Sequence, residues 1–316
     1  MAKAINLGFP RIGARRELKR ATEAYWQGAL DRAALLETGA ELRRRHWQLQ
    51  REAGIDSIPS NDFSFYDQVL DMACLVGAVP ERFAALAAQH PVDLAFAMAR
   101  GVTGGGAGVP ALEMTKWFDT NYHYLVPELE PGQRFELAGT KPVDEFLEAR
   151  ALGITTRPVL IGPVSFLLLA KPAGAPFDRL SLLDNLLPVY QQLLERLAAA
   201  GAEWVQLDEP FLALDLDAEQ RAAFPRAYGA LAEAVRGRGG APAVKLMVAT
   251  YFEGLRENLP TALALPVQAL HLDLVRAPEQ LDAALGHGVP ERLVLSLGVV
   301  DGRNVWKTDL SAALAP

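Results

Sequence analysis

Residues 184–210, "DNLLPVYQQLLERLAAAGAEWVQLDEP", hold one complete unit of the fold. Leu186, Tyr190, Leu193 and Leu197 recur at i, i+4, i+7 and i+11, which puts a single apolar stripe on a helix. Gly201 stops that pattern, and "WVQLD" (204–208) follows as a buried strand. The same alternation extends in both directions. Strands are expected at 4–8 (AINLG), 56–60 (DSIPS), 157–162 (RPVLIG), 204–208, 244–250 (VKLMVAT), 269–275 (ALHLDLV) and 292–300 (RLVLSLGVV). Most are separated by long helix-periodic stretches. Near-continuous apolar strands alternating with helices predict a parallel sheet covered by helices, and this many repeats favour a (β/α)8 TIM-barrel type over an open doubly wound sheet.

Two stretches depart from a plain barrel. Residues 14–54 carry two helical patterns in succession, an extra N-terminal helix. Residues 101–140 carry a Gly-rich loop followed by "EMTKWFDTNYHYLVPEL" and "RFELAGT", which read as an inserted hairpin. Only seven strands are counted. After "NVWKTDLSAALAP" no unit for an eighth strand remains, so the expected barrel is truncated before its last strand, with two open edges.

The composition is half apolar and 22% charged over 316 residues, enough for a sizeable core. No apolar run approaches the ~18 residues that span a bilayer, and no signal-peptide core opens the chain. The single cysteine, Cys74, excludes an internal disulfide and suits a reducing, cytoplasmic setting. With a net charge of −7, a general nucleic-acid binder is not expected.

Against that acidic background, Arg11, Arg15, Arg16, Lys19 and Arg20 crowd into ten positions around "GFPRIGARRELKR". The turn delivers the chain to a helix N-terminus, where free N–H groups already favour an anion. On a helix, Arg15 and Lys19 would share one face and Arg16 and Arg20 a neighbouring one. A solvated face, partly neutralised by Glu17 and Glu23, is the plainer alternative. "EMTKWFDTNYHY" (113–124) packs Lys116, Asn121 and four aromatics into one piece, suited either to a small-molecule pocket or to pinning a hairpin. Asp208 and Glu209 end a strand where barrels place catalytic groups, with Asp62 or Asp273 as candidate partners in a carboxylate-based hydrolase; capping the following helix is the alternative. The loop "GVTGGGAGVP" (101–110) lacks the Gly-Lys-Ser/Thr ending of a phosphate loop and reads as a connection. The five histidines are scattered, no zinc site is expected, and His271 reads as a satisfied core residue.

"LGFPRIGARRELKRATEAYW", "EMTKWFDTNYHYLVPE", "RPVLIGPVSFLLL", "WVQLDEPFL" and "GVVDGRNVW" together resemble the cobalamin-independent methionine synthase family, in the same order and over essentially the whole chain. The resemblance is to the N-terminal half only. It implies one of two face-to-face barrels, the other of which binds zinc through His, Cys, Glu and Cys and holds L-homocysteine. It also implies that this half helps to bind 5-methyltetrahydropteroyltri-L-glutamate through Arg15, Arg16, Glu17, Leu18 and Lys19, with Lys116 and Asn121. No cobalamin and no zinc would be held by this chain. Its partner would be the C-terminal barrel of the same or a separate chain, and alone it would be inactive. A stand-alone folate-polyglutamate binding module is the competing reading.

Overall fold

A computed structural model describes residues 2–102, 108–237 and 243–314. Its centre is one parallel sheet of β1 (Ile58–Ser60), β5 (Thr156–Ile161), β7 (Trp204–Asp208), β8 (Lys245–Ala249), β9 (Ala269–Asp273) and β10 (Val294–Gly298), hydrogen-bonded in that order. The sheet curls as part of a barrel. Six of the seven expected strands form, within a few residues of their expected bounds.

The seventh, at 4–8, is reduced to a single parallel bridge from Ile5 to Ser57. Its carbonyls go elsewhere: Asn6 O accepts from Arg157 Nη2 at 2.6 Å and Leu7 O from Gln206 Nε2 at 3.2 Å. Side chains of β5 and β7 thus take acceptors that a ladder would have used, and backbone polar groups need only one satisfied partner. The outer side of β10 pairs with no strand among the described residues, and Val294, Leu297 and Val300 there are exposed.

Helices cover the sheet as the apolar periodicity requires. In α7 (Leu183–Ala200), Leu186, Tyr190, Leu193 and Leu197 are buried to 1% exposure or less, and Gly201 ends the helix at φ 92°, a left-handed conformation that suits glycine. The extra N-terminal helices are α1 (Glu17–Trp26) and α2 (Arg32–Glu52), packed against each other. The other helices up to the end of α8 are α3 (Gln68–Leu75), α4 (Pro91–Arg100), α5 (Lys141–Ala151), α6 (Pro163–Leu169) and α8 (Ala218–Ala234).

The insertion is a short antiparallel hairpin of β2 (Met114–Lys116) and β3 (His123–Leu125), with Lys116 opposite His123, and β4 (Glu128–Leu129) and β6 (Lys171–Pro172) form a separate two-stranded parallel pair. "RFELAGT" is not part of it. Glu136 N and Ala138 N instead donate to the carbonyls of Val76 and Leu75, at the end of α3. These acceptors are the orphan groups of a helix C-terminus, so the segment trades ladder bonds for capping bonds. An antiparallel bridge from Val102 to Val109 closes the Gly-rich loop, whose residues 103–107 lie outside the described residues.

Candidate anion-binding site and the sealed carboxylate end

The cationic start is built on a turn rather than on a helix face. The helix begins at Glu17. Gly13 (φ 80°) and Arg16 (φ 60°) are both left-handed, and Arg16 N donates to Gly13 O at 3.0 Å. Arg15 and Arg16 therefore precede the helix, which corrects the expected pairing of Arg15 with Lys19 and of Arg16 with Arg20 on helical faces. Glu17 is not free to neutralise them. Its carboxylate accepts from Arg15 N at 2.8 Å and from Arg45 Nη2 at 2.7 Å. Its own backbone N–H, then Arg15 N and Arg45, hold its pKa down to about 2. Leu18 is buried at 2% exposure against Leu42 and Phe63, so its side chain is floor, not contact surface.

What remains outward is positive. Arg15, Arg16 and Lys19 are exposed, and among the described residues the side chains of Arg15 and Arg16 make no hydrogen bond or ion pair. Lys19 lies 3.7 Å from Glu23, both about half exposed, a pairing worth little in water. On the hairpin, Lys116 and Asn121 are also exposed. Trp117 is buried and meets Tyr124 edge-on at 5.6 Å, fixing the hairpin to the core.

One contact links these two segments. Arg11 Nη1 donates to Tyr122 Oη at 3.2 Å, Nη2 donates to Tyr66 O, and the guanidinium sits 5.5 Å from the Tyr122 ring centroid. Tyr122 Oη in turn donates to Asp67 Oδ1 at 3.1 Å. Tyr122 is one of the aromatics that the sequence offers as a pocket lining or a hairpin pin, whereas Asp67 does not stand out in the sequence as part of a site. Asp67 was discoverable as an acid just before the apolar run of α3, a helix-capping position.

The end of β7 is built in the opposite way. Glu209 is fully buried, its Oε1 accepting from Val164 N at 3.3 Å and Tyr228 Oη at 3.0 Å, its Oε2 from Ser165 N at 2.8 Å. It caps α6, not the helix that follows it in sequence. Burial pushes its pKa up to about 7 despite these donors. Asp208 accepts from Gln206 Nε2 at 2.6 Å and Tyr251 Oη at 3.0 Å, and burial raises it to about 6. Asp62 caps the Phe9 amide at 2.7 Å, while Asp273 takes the amides of Phe252, Val275 and Arg276. Each of these carboxylates is spent on the backbone or on a buried side chain. The hydrolase reading loses its geometry here.

Beside Asp208, a cavity of about 30 Å³ is lined by Asn61, Ser64, Gln68, Asp71 and Lys141 among others. Lys141 Nζ bonds Asn61 Oδ1 at 2.8 Å and Phe63 O at 2.7 Å, and lies 3.1 Å from Glu145. No three His, Cys, Asp or Glu side chains among the described residues are grouped to hold a metal ion. His271 is a buried strand residue whose Nδ1 lies 2.9 Å from Ser296 Oγ, and burial lowers its pKa to about 4. Burial pushes the Cys74 thiol up to about 12, the reverse of what a thiolate ligand needs. The side chains present do not fit a zinc site. No helix of the described residues is long and apolar enough to cross a membrane.

Fold and site together define a β/α barrel-type domain with a cationic turn joined to an aromatic hairpin. The chain belongs to the cobalamin-independent synthase family, whose N-terminal domain it matches over residues 3–316. It is 58% identical, over 99% of its length, to the 5-methyltetrahydropteroyltriglutamate–homocysteine methyltransferase of Salinibacter ruber, and 59% identical, over 98%, to that of Caulobacter vibrioides. It spans 41% of the length of each of these relatives. A B12-independent methionine synthase from Shewanella sp. W3-18-1 has a similar fold, with a TM-score of 0.60 at 15% identity over 87% of this chain and 74% of that one. A Listeria monocytogenes protein described as a vitamin-B12 independent methionine synthase superposes with a TM-score of 0.63, at 15% identity over 99% and 85% of the two chains.

Proposed function

We propose that this chain is the folate-polyglutamate-binding half of a methyltransferase that moves the methyl group of 5-methyltetrahydropteroyltri-L-glutamate to L-homocysteine, giving L-methionine. One observation carries the binding role. Exposed cations stand at Arg15 and Arg16, which have no side-chain partner among the described residues, and at Lys19 in the first turn of α1, and this segment is tied, through Arg11 and Tyr122, to the hairpin bearing Lys116 and Asn121. The glutamyl tail is a row of carboxylates. Arg15 and Arg16 offer planar forks that match carboxylates two bonds at a time, Lys19 and Lys116 offer point charges, and the Asn121 amide donates a neutral hydrogen bond. Each charge-assisted contact is worth ~1.5–3 kcal/mol. Glu17 and Leu18 contribute by shape: one ties the turn to α2, the other seats it on the core.

Methyl transfer from a tertiary amine to sulfur needs a thiolate nucleophile, and a metal that binds the homocysteine sulfur would provide it at neutral pH. We assign that zinc and the homocysteine site to a C-terminal barrel, on the same or a separate chain, because the His, Cys, Asp and Glu side chains described here are not grouped to hold a metal and burial suppresses ionisation of the single thiol, Cys74. The setting in which this metabolic reaction would run is the cytoplasm. Calorimetric titration of the 316-residue protein with mono- and triglutamyl 5-methyltetrahydrofolate tests the binding half. A clear preference for the triglutamate supports it, and equal affinity for both refutes it. Methionine formation by this chain alone would refute the assignment of the chemistry elsewhere.

A further inference from the structure

The two arms of the proposed site come from distant parts of the chain, so something must set the distance between them. Arg11 sits four residues before Arg15 in the same turn, and Tyr122 follows Asn121 directly. The Arg11–Tyr122 hydrogen bond and the stacked guanidinium therefore join one arm to the other at their bases. Behind them stands Asp67, 0% exposed. It accepts from Tyr122 Oη, from Leu125 N at 3.0 Å at the end of β3, and from Val69 N and Leu70 N at the start of α3. Within the hairpin, Trp117 N donates to Tyr122 O at 2.7 Å, so the position of Tyr122 fixes that of neighbouring Lys116. The guanidinium is committed to Tyr66 and Tyr122, and its buried Nε has no partner among the described residues. Arg11 faces inward, unlike the other cations of its cluster.

Resting on the proposed function, we infer that Arg11 and Tyr122 are positioning residues that set the spacing of the anion site and so its preference for a multiply charged glutamyl tail. They touch no ligand. They hold Lys116 and Asn121 in register with Arg15, Arg16 and Lys19, so that successive carboxylates of one γ-linked chain meet both arms at once. A carboxylate next to the pteroyl group would be bound with or without that register.

The test uses the full 316-residue protein and two mild variants, Tyr122→Phe, which keeps the ring, and Arg11→Lys, which keeps the charge. Two quantities are read. One is hydrogen–deuterium exchange of residues 114–125; the other is the ratio of Kd values for mono- and triglutamyl 5-methyltetrahydrofolate. In both variants the hairpin should exchange faster, and triglutamate affinity should fall more than monoglutamate affinity, so that the affinity ratio drops roughly fivefold, the loss of about one hydrogen bond. Exchange unchanged from wild type would show that the pair pins nothing and would overturn the inference. So would faster exchange with an intact tail preference, or equal losses for both ligands, while the proposed function stood. If the wild-type protein shows no tail preference, the proposed function falls and takes this inference with it, whatever the exchange data show.

Discussion

Two charged regions lie at the same end of the sheet, and they treat their charges in opposite ways. At the end of β7, Asp208 and Glu209 are buried and every carboxylate oxygen of Glu209 has a donor. At the turn before α1, Arg15 and Arg16 stand in water with no side-chain partner among the described residues. A buried charge must be satisfied internally or neutralised, so it becomes structure; an exposed cation loses little in solvent and stays available to a ligand. The lesson is that carboxylates at a barrel strand end are not by themselves a catalytic site. The side chains free to act are the ones the fold has not already used.

The largest effect should come from the sealed region. A Cβ added at Gly162 would overlap the carboxylate of Glu209, which cannot swing away because three donors hold it. Gly162→Ala should cost ~3 kcal/mol or more, read as a shift in urea midpoint. An unshifted midpoint would mean that the Glu209 cage is soft, and the comparison would break. Next, Leu18→Ala should cost about 2–4 kcal/mol, because the open region stands on a sealed floor. A neutral result there would place Leu18 in the contact surface instead.

Glu209→Gln should cost about 2 kcal/mol, since an amide cannot accept on both sides, and the loss should depend on pH. Burial raises Glu209 to about 7, above its ordinary 4.5, so the folded protein holds a proton that the unfolded chain has released. That contribution is complete below about pH 4.5 and is lost as pH rises through about 7. Asp62, Asp67 and Asp208, each raised to about 6, act in the same direction from about pH 4 upward. Wild-type stability should therefore decline from pH 4.5 to 7 more steeply than that of Glu209→Gln, and the gap between them should narrow. A gap that widens over this interval would mean Glu209 is held as the anion.

The smallest stability effect belongs to the open region. Lys19→Ala and Lys116→Ala should each change unfolding free energy by under ~0.5 kcal/mol, while weakening triglutamate binding several-fold with a reduced salt dependence. A larger loss of stability without a loss of binding would move these cations into the scaffold and erase the contrast.

Much of this was legible in advance. Six strands and the α7 stripe were readable because burial on a curled parallel sheet imposes an apolar pattern that sequence records residue by residue. The strand expected at 4–8 does not form a ladder because its carbonyls are taken by Arg157 and Gln206, side chains from far along the chain. The helical faces expected for Arg15 and Arg16 do not form, because two consecutive arginines carry no mark of the left-handed turn at Arg16. "RFELAGT" looked like a strand because its alternation is real, yet its amides cap α3.

Local chemistry settled the class of this protein. Periodicity determined the β/α repeat, and five cations in ten residues marked the place proposed to receive an anion. Only tertiary structure decided which charges are spent and which are free. Glu209 and Arg15 are both plain charged residues in the chain; one became a buried cap because α6 presents its amides to it, the other stayed exposed, with no side-chain partner among the described residues. Desolvation and partnership depend on what the fold brings near, and neighbours distant in sequence cannot be read from the residues themselves.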